Sequence, residues 1–307
     1  MVITTLCRHT QNSGHSLFKL NKTQTSRSNT EFMPVRGADT TAITPIFRWA
    51  GSKRKVLPIL ASFWSPNYRR YLEPFAGSAA LFFKLQPEHA VLSDINEDLI
   101  STYEVIRDQP DDVHRAVSRI RQSETEYYKV RARNTSRLSA FNRAVRFVYL
   151  NRHCFNGIYR TNTLGKFNVP YAHNKPGVIP PIEKFRRSAA LLHRASLRSS
   201  DFGQILSSVR ENDFVYLDPP YAVESRRVFR QYDRRQFLRR DLERLSEHLS
   251  NIDKKRASFV VSYADCREAR SLFARWHVSR VRVRRNVAGF AADRKIATEL
   301  LVTNIKG

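Results

Sequence analysis

The chain has 307 residues, 41% of them hydrophobic, and a formal net charge of +25. That length supports a sizeable core in one or two domains, and the charge argues for a polyanionic partner, nucleic acid first and a membrane surface second. No apolar stretch approaches a spanning helix, and Cys7, Cys154 and Cys266 lie too far apart to make a disulfide framework or a metal-binding pair.

Residues 1–43 are rich in Ser, Thr, Asn and basic residues, with no acidic residue before Glu31. A disordered basic extension is expected here. Organellar transit peptides share this composition, and Met33 is an alternative start. No secretory signal is apparent, and the three separated cysteines are expected to be reduced in a cytoplasmic protein. The nine histidines show no metal-binding spacing, and no structural metal is expected.

From Ile46 the pattern turns globular. Lys55 to Trp64 reads as a helix. Tyr71-Leu72 is a short strand running into Glu73-Pro-Phe-Ala-Gly77-Ser78, and Ala79 to Leu85 opens a helix. His89 to Leu92 is a second strand, ended by Ser93-Asp94, and Asn96 to Arg107 is another helix. This order opens a doubly wound α/β domain. Residues 111–150 read as helices, with Phe141, Val145, Val148 and Tyr149 at helical spacing. In residues 152–177, Asn156-Gly157 and Leu164-Gly165 are turn signals that suggest a β-hairpin. Phe214 to Leu217 and Phe259 to Tyr263 read as core strands, and Val278 to Val283 with Ile296 to Val302 as a strand pair. The stretch from Asp94 to Asp218 is longer than two βαβ units need. Residues 110–195 are therefore expected to form an inserted, mainly helical domain carrying the hairpin. Residues 44–109 and 196–307 would form the sheet domain.

Asp218-Pro219-Pro220-Tyr221 ends the strand before it abruptly, because neither proline offers a backbone N–H. A carboxylate and a phenol are thus presented at the carboxyl end of a strand, where open α/β sheets bind ligands. The carboxylate and nearby carbonyls make an acceptor-only pocket suited to an exocyclic amine, and the tyrosine offers a flat face. An ordinary strand-ending turn is the alternative. In the turn after the first strand, Gly77 permits a tight bend and close ligand approach. Asp94, one strand later, can accept hydrogen bonds from ribose hydroxyls. Upstream, Ile46-Phe-Arg-Trp49-Ala-Gly51-Ser-Lys53 suggests a loop that packs on an aromatic ligand and carries a charge.

These motifs together resemble the Dam-type (D12 class) adenine-specific DNA methyltransferases. The resemblance extends through Phe147-Val-Tyr-Leu-Asn-Arg-His-Cys-Phe-Asn-Gly-Ile-Tyr-Arg160 and Gly165-Lys-Phe-Asn-Val-Pro-Tyr171, and through Arg284-Arg285, Arg294-Lys295 and Thr298-Glu-Leu-Leu301. It implies a Rossmann-like, S-adenosylmethionine-dependent methyltransferase sheet, with residues 110–195 as a target-recognition domain. It implies that Trp49, Lys53, Asp94 and Asp218 bind S-adenosylmethionine and that Glu73, Pro74, Phe75 and Gly77 cradle its methionine end. Glu73 stands where many relatives carry Asp. Asp218, Pro219, Pro220 and Tyr221 would be catalytic, with acceptors at Asp218 and the Pro219 carbonyl for the N6 amino hydrogens of a flipped-out adenine and a stacking face at Tyr221. No metal is implied.

By the same resemblance the hairpin enters DNA. Asn156 would fill space near the flipped base, and Arg160 would contact guanine in the major groove or, alternatively, a phosphate. Ile158 and Pro170 would touch a thymine methyl. His173 stands where Dam proteins that read GATC tend to carry Arg, so GATC is the leading target with its outer bases open. The arginines between Arg226 and Arg240 would track phosphates or form a solvated face. A monomer acting on double-stranded DNA is expected, with a cognate restriction endonuclease as a candidate partner and no membrane. Methylation of cytosine N4 or RNA is the first rival, but those relatives more often carry Ser or Asn in place of Asp218. A catalytically dead DNA-binding module is the second.

Overall fold

The computed structural model describes residues 43–49, 53, 55–221, 237–284 and 296–306. All of the basic extension except Ile43, the loop residues 50–52, the arginines from Arg226 to Arg235, and Arg285, Arg294 and Lys295 lie outside the described residues.

Seven strands form one sheet in the order β3-β2-β1-β4-β5-β7-β6. They are β1 (Arg70–Glu73), β2 (Ala90–Asp94), β3 (Ala195–Ser199), β4 (Asp213–Leu217), β5 (Ser258–Ala264), β6 (His277–Arg284) and β7 (Ile296–Thr303). The first five pair in parallel, while β7 runs antiparallel between β5 and β6. The chain builds outward from β1 through β2 to β3, then returns to lay β4 against the other side of β1. The two halves therefore diverge at the carboxyl ends of β1 and β4, which is where such sheets open a ligand crevice.

Alternate residues divide between two hydrophobic clusters, as a period of two requires. Tyr71, Phe214, Tyr216, Val260 and Leu301 join one cluster, and Leu72, Val215, Leu217, Val261 and Val302 the other. Every residue of β4 is buried, so a covered parallel strand has the continuous apolar run seen in the sequence. Its polar first residue, Asp213, is held by Arg70 Nε at 3.0 Å.

Helices α1 (Leu57–Ala61), α2 (Ala80–Leu85), α3 (Glu97–Asp108), α4 (Pro110–Ser118), α5 (Glu124–Ala132), α6 (Ala140–His153) and α7 (Ile182–Leu192) precede β3. The expected helix from Lys55 to Trp64 contracts to α1, because Pro58 allows a first turn but the chain leaves helical geometry before Ser65. Asn96 caps α3, its side chain accepting from the Leu99 N–H at 3.1 Å. Helix α6 packs on α3, α4 and α5. Tyr127, Tyr149 and Phe185 of the helical layer belong to the same cluster as Tyr71 and Phe82 beside the sheet.

The hairpin expected between residues 152 and 177 is reduced to isolated antiparallel bridges, Cys154 to Tyr171 and Thr161 to Phe167. Two residues in left-handed geometry, Asn156 (φ 54°) and Gly157 (φ 66°), interrupt one arm. Helices α8 (Phe202–Ser207), α9 (Arg239–Lys254) and α10 (Arg267–Leu272) complete the described structure. Arg239 and Arg240 of the expected phosphate loop begin α9, whose Leu242, Leu245, Leu249 and Ile252 bury one face. Among the described residues no helix is long and apolar enough to cross a membrane.

Candidate active site

At the end of β1 the chain turns through Pro74, Phe75 and Gly77, the last with φ 47°. A β-carbon at Gly77 would lie 2.7 Å from Trp49 Nε1, so only glycine fits beneath the indole. The turn is stapled to β2. The Gly77 N–H donates to Asp94 Oδ2 at 3.0 Å, and the Asn96 N–H donates to Asp94 Oδ1 at 3.0 Å. The Tyr103 hydroxyl donates to the Gly77 carbonyl at 2.9 Å. Phe75 points elsewhere, its ring tilted against Phe202 with centroids 5.3 Å apart and supporting the turn from the α8 side.

Glu73 is 3% exposed, and the Tyr71 hydroxyl donates to its Oε2 at 2.9 Å. Burial pushes its carboxyl well above the usual carboxylate range, and the charges of Asp218 and Asp94 push the same way, against the Tyr71 hydrogen bond. A cationic ligand beside it would relieve that burden.

The buried end of β4 delivers Asp218, whose side chain keeps 24% of its surface open. Pro219 is buried, Pro220 is exposed and Tyr221 is half-buried, edge-on to Tyr263 at 5.3 Å. Lys53 reaches this corner from before α1, with Nζ 3.1 Å from Asp218 Oδ1 and 3.1 Å from the Tyr221 hydroxyl. Burial alone would lower the Lys53 pKa, but Asp218, Tyr221 and Glu299 outweigh it and hold the ammonium well above its ordinary value. Tyr221 moves upward as well, through burial, although Lys53 draws it down.

Glu299 completes the cluster, with Oε1 3.3 Å from Lys53 Nζ. The sequence motif Thr298-Glu-Leu-Leu301 contained this residue without marking it as part of the site. Its signal was an acidic residue in an otherwise apolar alternating strand.

Trp49 joins the Gly77 turn to the loop from 154 to 171. Its indole stacks on Tyr159 with centroids 6.1 Å apart, and the Tyr159 hydroxyl donates to Asp98 Oδ2 at 3.2 Å. At the loop's root a β-carbon on Gly157 would lie 2.4 Å from Arg48 Cβ, so the backbone lies directly on the Trp49 segment. Asn156 and Pro170 are exposed, and Ile158 and Arg160 are half-buried. Arg160 Nε donates across the loop to Asn168 Oδ1 at 2.8 Å. His173 lies just beyond, exposed, with Nε2 3.5 Å from Glu124 Oε1.

The structure thus gathers Trp49, Glu73, Pro74, Gly77 and Asp94 around one turn. It gathers Lys53, Asp218, Pro219, Tyr221 and Glu299 at the next strand end. Asn156, Ile158, Arg160 and Pro170 share a loop that leans on the Gly77 turn through Trp49.

The family model for D12 class N6 adenine-specific DNA methyltransferases matches residues 49–287. A Type II methyltransferase of Lactococcus lactis subsp. cremoris is 30% identical over 271 residues, covering 85% of this chain and 95% of that protein. The Retron Ec67 DNA adenine methylase of Escherichia coli is 30% identical over 270 residues, covering 85% and 92%. A DNA adenine methylase of Salmonella typhi is 31% identical over 261 residues, covering 83% and 92%.

Proposed function

Because the chain belongs to the D12 class of N6 adenine-specific DNA methyltransferases, we propose that it methylates a flipped-out adenine in GATC or a related short duplex site, with S-adenosylmethionine as donor. The observation that carries this reading is the partly open Asp218 carboxylate, held by buried Lys53 beside the Gly77 turn.

The residues present suit that donor. S-adenosylmethionine, when bound, supplies a methyl group made electrophilic by a sulfonium. The glycine at residue 77 lets the Trp49 indole close over the turn as a wall, and Asp94 offers acceptor lone pairs for ribose hydroxyls. Glu73 and Asp218 provide negative charge for the sulfonium and the amino group of the methionine end. Pro74 shapes the turn, and Phe75 supports it from behind.

Adenine N6 is a poor nucleophile because its lone pair is delocalised into the ring. Asp218 and the Pro219 carbonyl accept hydrogen bonds from its two amino hydrogens, which encourages the nitrogen toward tetrahedral geometry, and one of those hydrogens is lost as a proton once the new N–C bond forms. Acceptors fixed where positive charge develops stabilise the transition state, and holding both reactants removes an entropic barrier. Tyr221 offers the face on which the base stacks, and Pro220 keeps the tetrapeptide rigid. Residues 110–195 act as the target-recognition domain. Within it Arg160 reads guanine, Ile158 and Pro170 meet a thymine methyl, Asn156 fills the space near the flipped base, and His173 lies at the outer bases. The enzyme works as a monomer. The Type II name of the Lactococcus relative favours a restriction endonuclease as its counterpart.

The test is modified-base sequencing of plasmid from a methylation-deficient host expressing this chain. N6-methyladenine at one recurring site is expected, and its complete absence would sink the reading.

A further inference from the structure

Lys53 carries its ammonium into a nearly dry corner, with the residue 8% exposed. Two carboxylates share it: Asp218 at 3.1 Å and Glu299 at 3.3 Å. Glu299 Oε1 also accepts from the Tyr221 hydroxyl at 3.4 Å. Glu299 sits mid-strand in β7, opposite Ala264 of β5 and Val281 of β6, and is 3% exposed. Its neighbours on that strand, Leu300, Leu301 and Val302, are apolar and buried. An acidic side chain in such a position is costly to desolvate, and an aliphatic residue would pack there without that cost. Glu299 is buried deeper than Asp218, and the two carboxylates meet at the Lys53 ammonium.

We propose that Glu299 is a positioning residue for methyl transfer. It takes a share of the Lys53 ammonium, so that Asp218 is not committed wholly to an ion pair and remains a strong acceptor for the amino hydrogens of the target base. Through the Tyr221 hydroxyl it also fixes the ring that forms the wall of the base site. With Glu299 neutral, Asp218 becomes the only carboxylate of the two left to balance Lys53, and the ion pair tightens at the expense of the substrate. This proposal rests on the roles given above to Asp218 and Tyr221.

Glu299→Gln keeps the shape and an acceptor for Tyr221 but removes the charge. Its single-turnover methylation rate is expected to fall by about tenfold or more. Equilibrium binding of tritiated S-adenosylmethionine and of target duplex should stay within about threefold of wild type. In a Lys53→Met background the same substitution should cost less than about threefold, because the cation it balances is gone. A wild-type rate for Glu299→Gln overturns the proposal. So does an equal loss with and without Lys53, or a loss of donor binding large enough to account for the rate. Should Glu299→Gln fail to fold by its melting curve, Glu299→Asp keeps the charge with a shorter reach. A slowed Glu299→Asp with unchanged donor binding, and with the slowing lost in the Lys53→Met background, supports the proposal, and an equal slowing with and without Lys53 overturns it. The wild-type control separates the two ideas: an inactive wild type removes the function and this proposal together, whereas an active wild type with an equally active Glu299→Gln removes the proposal alone.

Discussion

The turn after β1 and the loop from 154 to 171 touch the same tryptophan but are built in opposite ways. At the turn, backbone and side chains are buried and joined by hydrogen bonds: Gly77 is held through both its N–H and its carbonyl, and Glu73 by Tyr71. The loop is closed by two isolated bridges and presents Asn156, Leu164, Pro170 and, just past it, His173 to solvent. If the turn and the β4 end are the reacting centre proposed above, their locking into the sheet suits a reaction that tolerates little displacement. If the loop is the recognition surface proposed above, its exposed side chains suit contact with a large, varied partner. Substitutions at the turn and at the β4 end should therefore abolish chemistry or fold, and substitutions in the loop should change which sequence is chosen.

The sharpest break in that contrast is Asp218→Ala. Methylation should fall by about a thousandfold or more, as when a preorganised electrostatic contact is removed from a reacting centre. Duplex affinity, measured by fluorescence anisotropy, should stay near wild type; a parallel collapse of DNA binding would mean Asp218 supports the whole site. Gly77→Ala comes next. Its β-carbon meets Trp49 at 2.7 Å and its φ of 47° is strained for alanine, costing about 1–3 kcal/mol. A lowered melting temperature and a donor affinity weakened by about tenfold or more are expected, whereas wild-type donor binding would remove Gly77 from the cradle.

How far the sequence foresaw this arrangement depended on locality. Strands β1, β2 and β4 were legible because apolar runs end in sharp punctuation, and the residues they deliver lie in the same few positions. Glu299 was not, since 246 residues separate it from Lys53 and only the insertion of β7 between β5 and β6 brings them together. Strand β3 was hidden because four of its five residues, Ser196 to Ser199, are exposed or half-buried at the sheet edge, leaving no apolar pattern. Helix α9 was obscured by the arginine run that opens it, although its buried leucines carry a helical period. Trp49 is expected to pack on a ligand; in the structure its ring packs on Gly77 and Tyr159, a contact set by tertiary approach that no local pattern encodes.

In the loop the expected effects are smaller and differ in kind. Arg160→Ala should cost about 1–3 kcal/mol of discrimination at one base position, measured as kcat/KM on duplexes altered there. A uniform weakening on all sequences with a shallower salt dependence would identify a phosphate contact instead. Because Arg160 is tied to Asn168 at 2.8 Å, Asn168→Ala should reproduce part of the loss by freeing the guanidinium, and an unaffected Asn168→Ala would mean the guanidinium needs no bracing.

The mildest change probes the outer bases. His173 is exposed and pairs with Glu124 at 3.5 Å, a surface contact worth about 0–1 kcal/mol, so His173→Arg should leave the melting temperature nearly unchanged. Arginine can make bidentate contacts to guanine that a histidine ring cannot. Competitive methylation of a library varied at the outer positions should therefore shift toward a guanine-containing site, while total rate on the preferred site changes little. If the library profile of His173→Arg matches wild type, the outer bases are read elsewhere, and the boundary of the recognition surface moves back to Pro170.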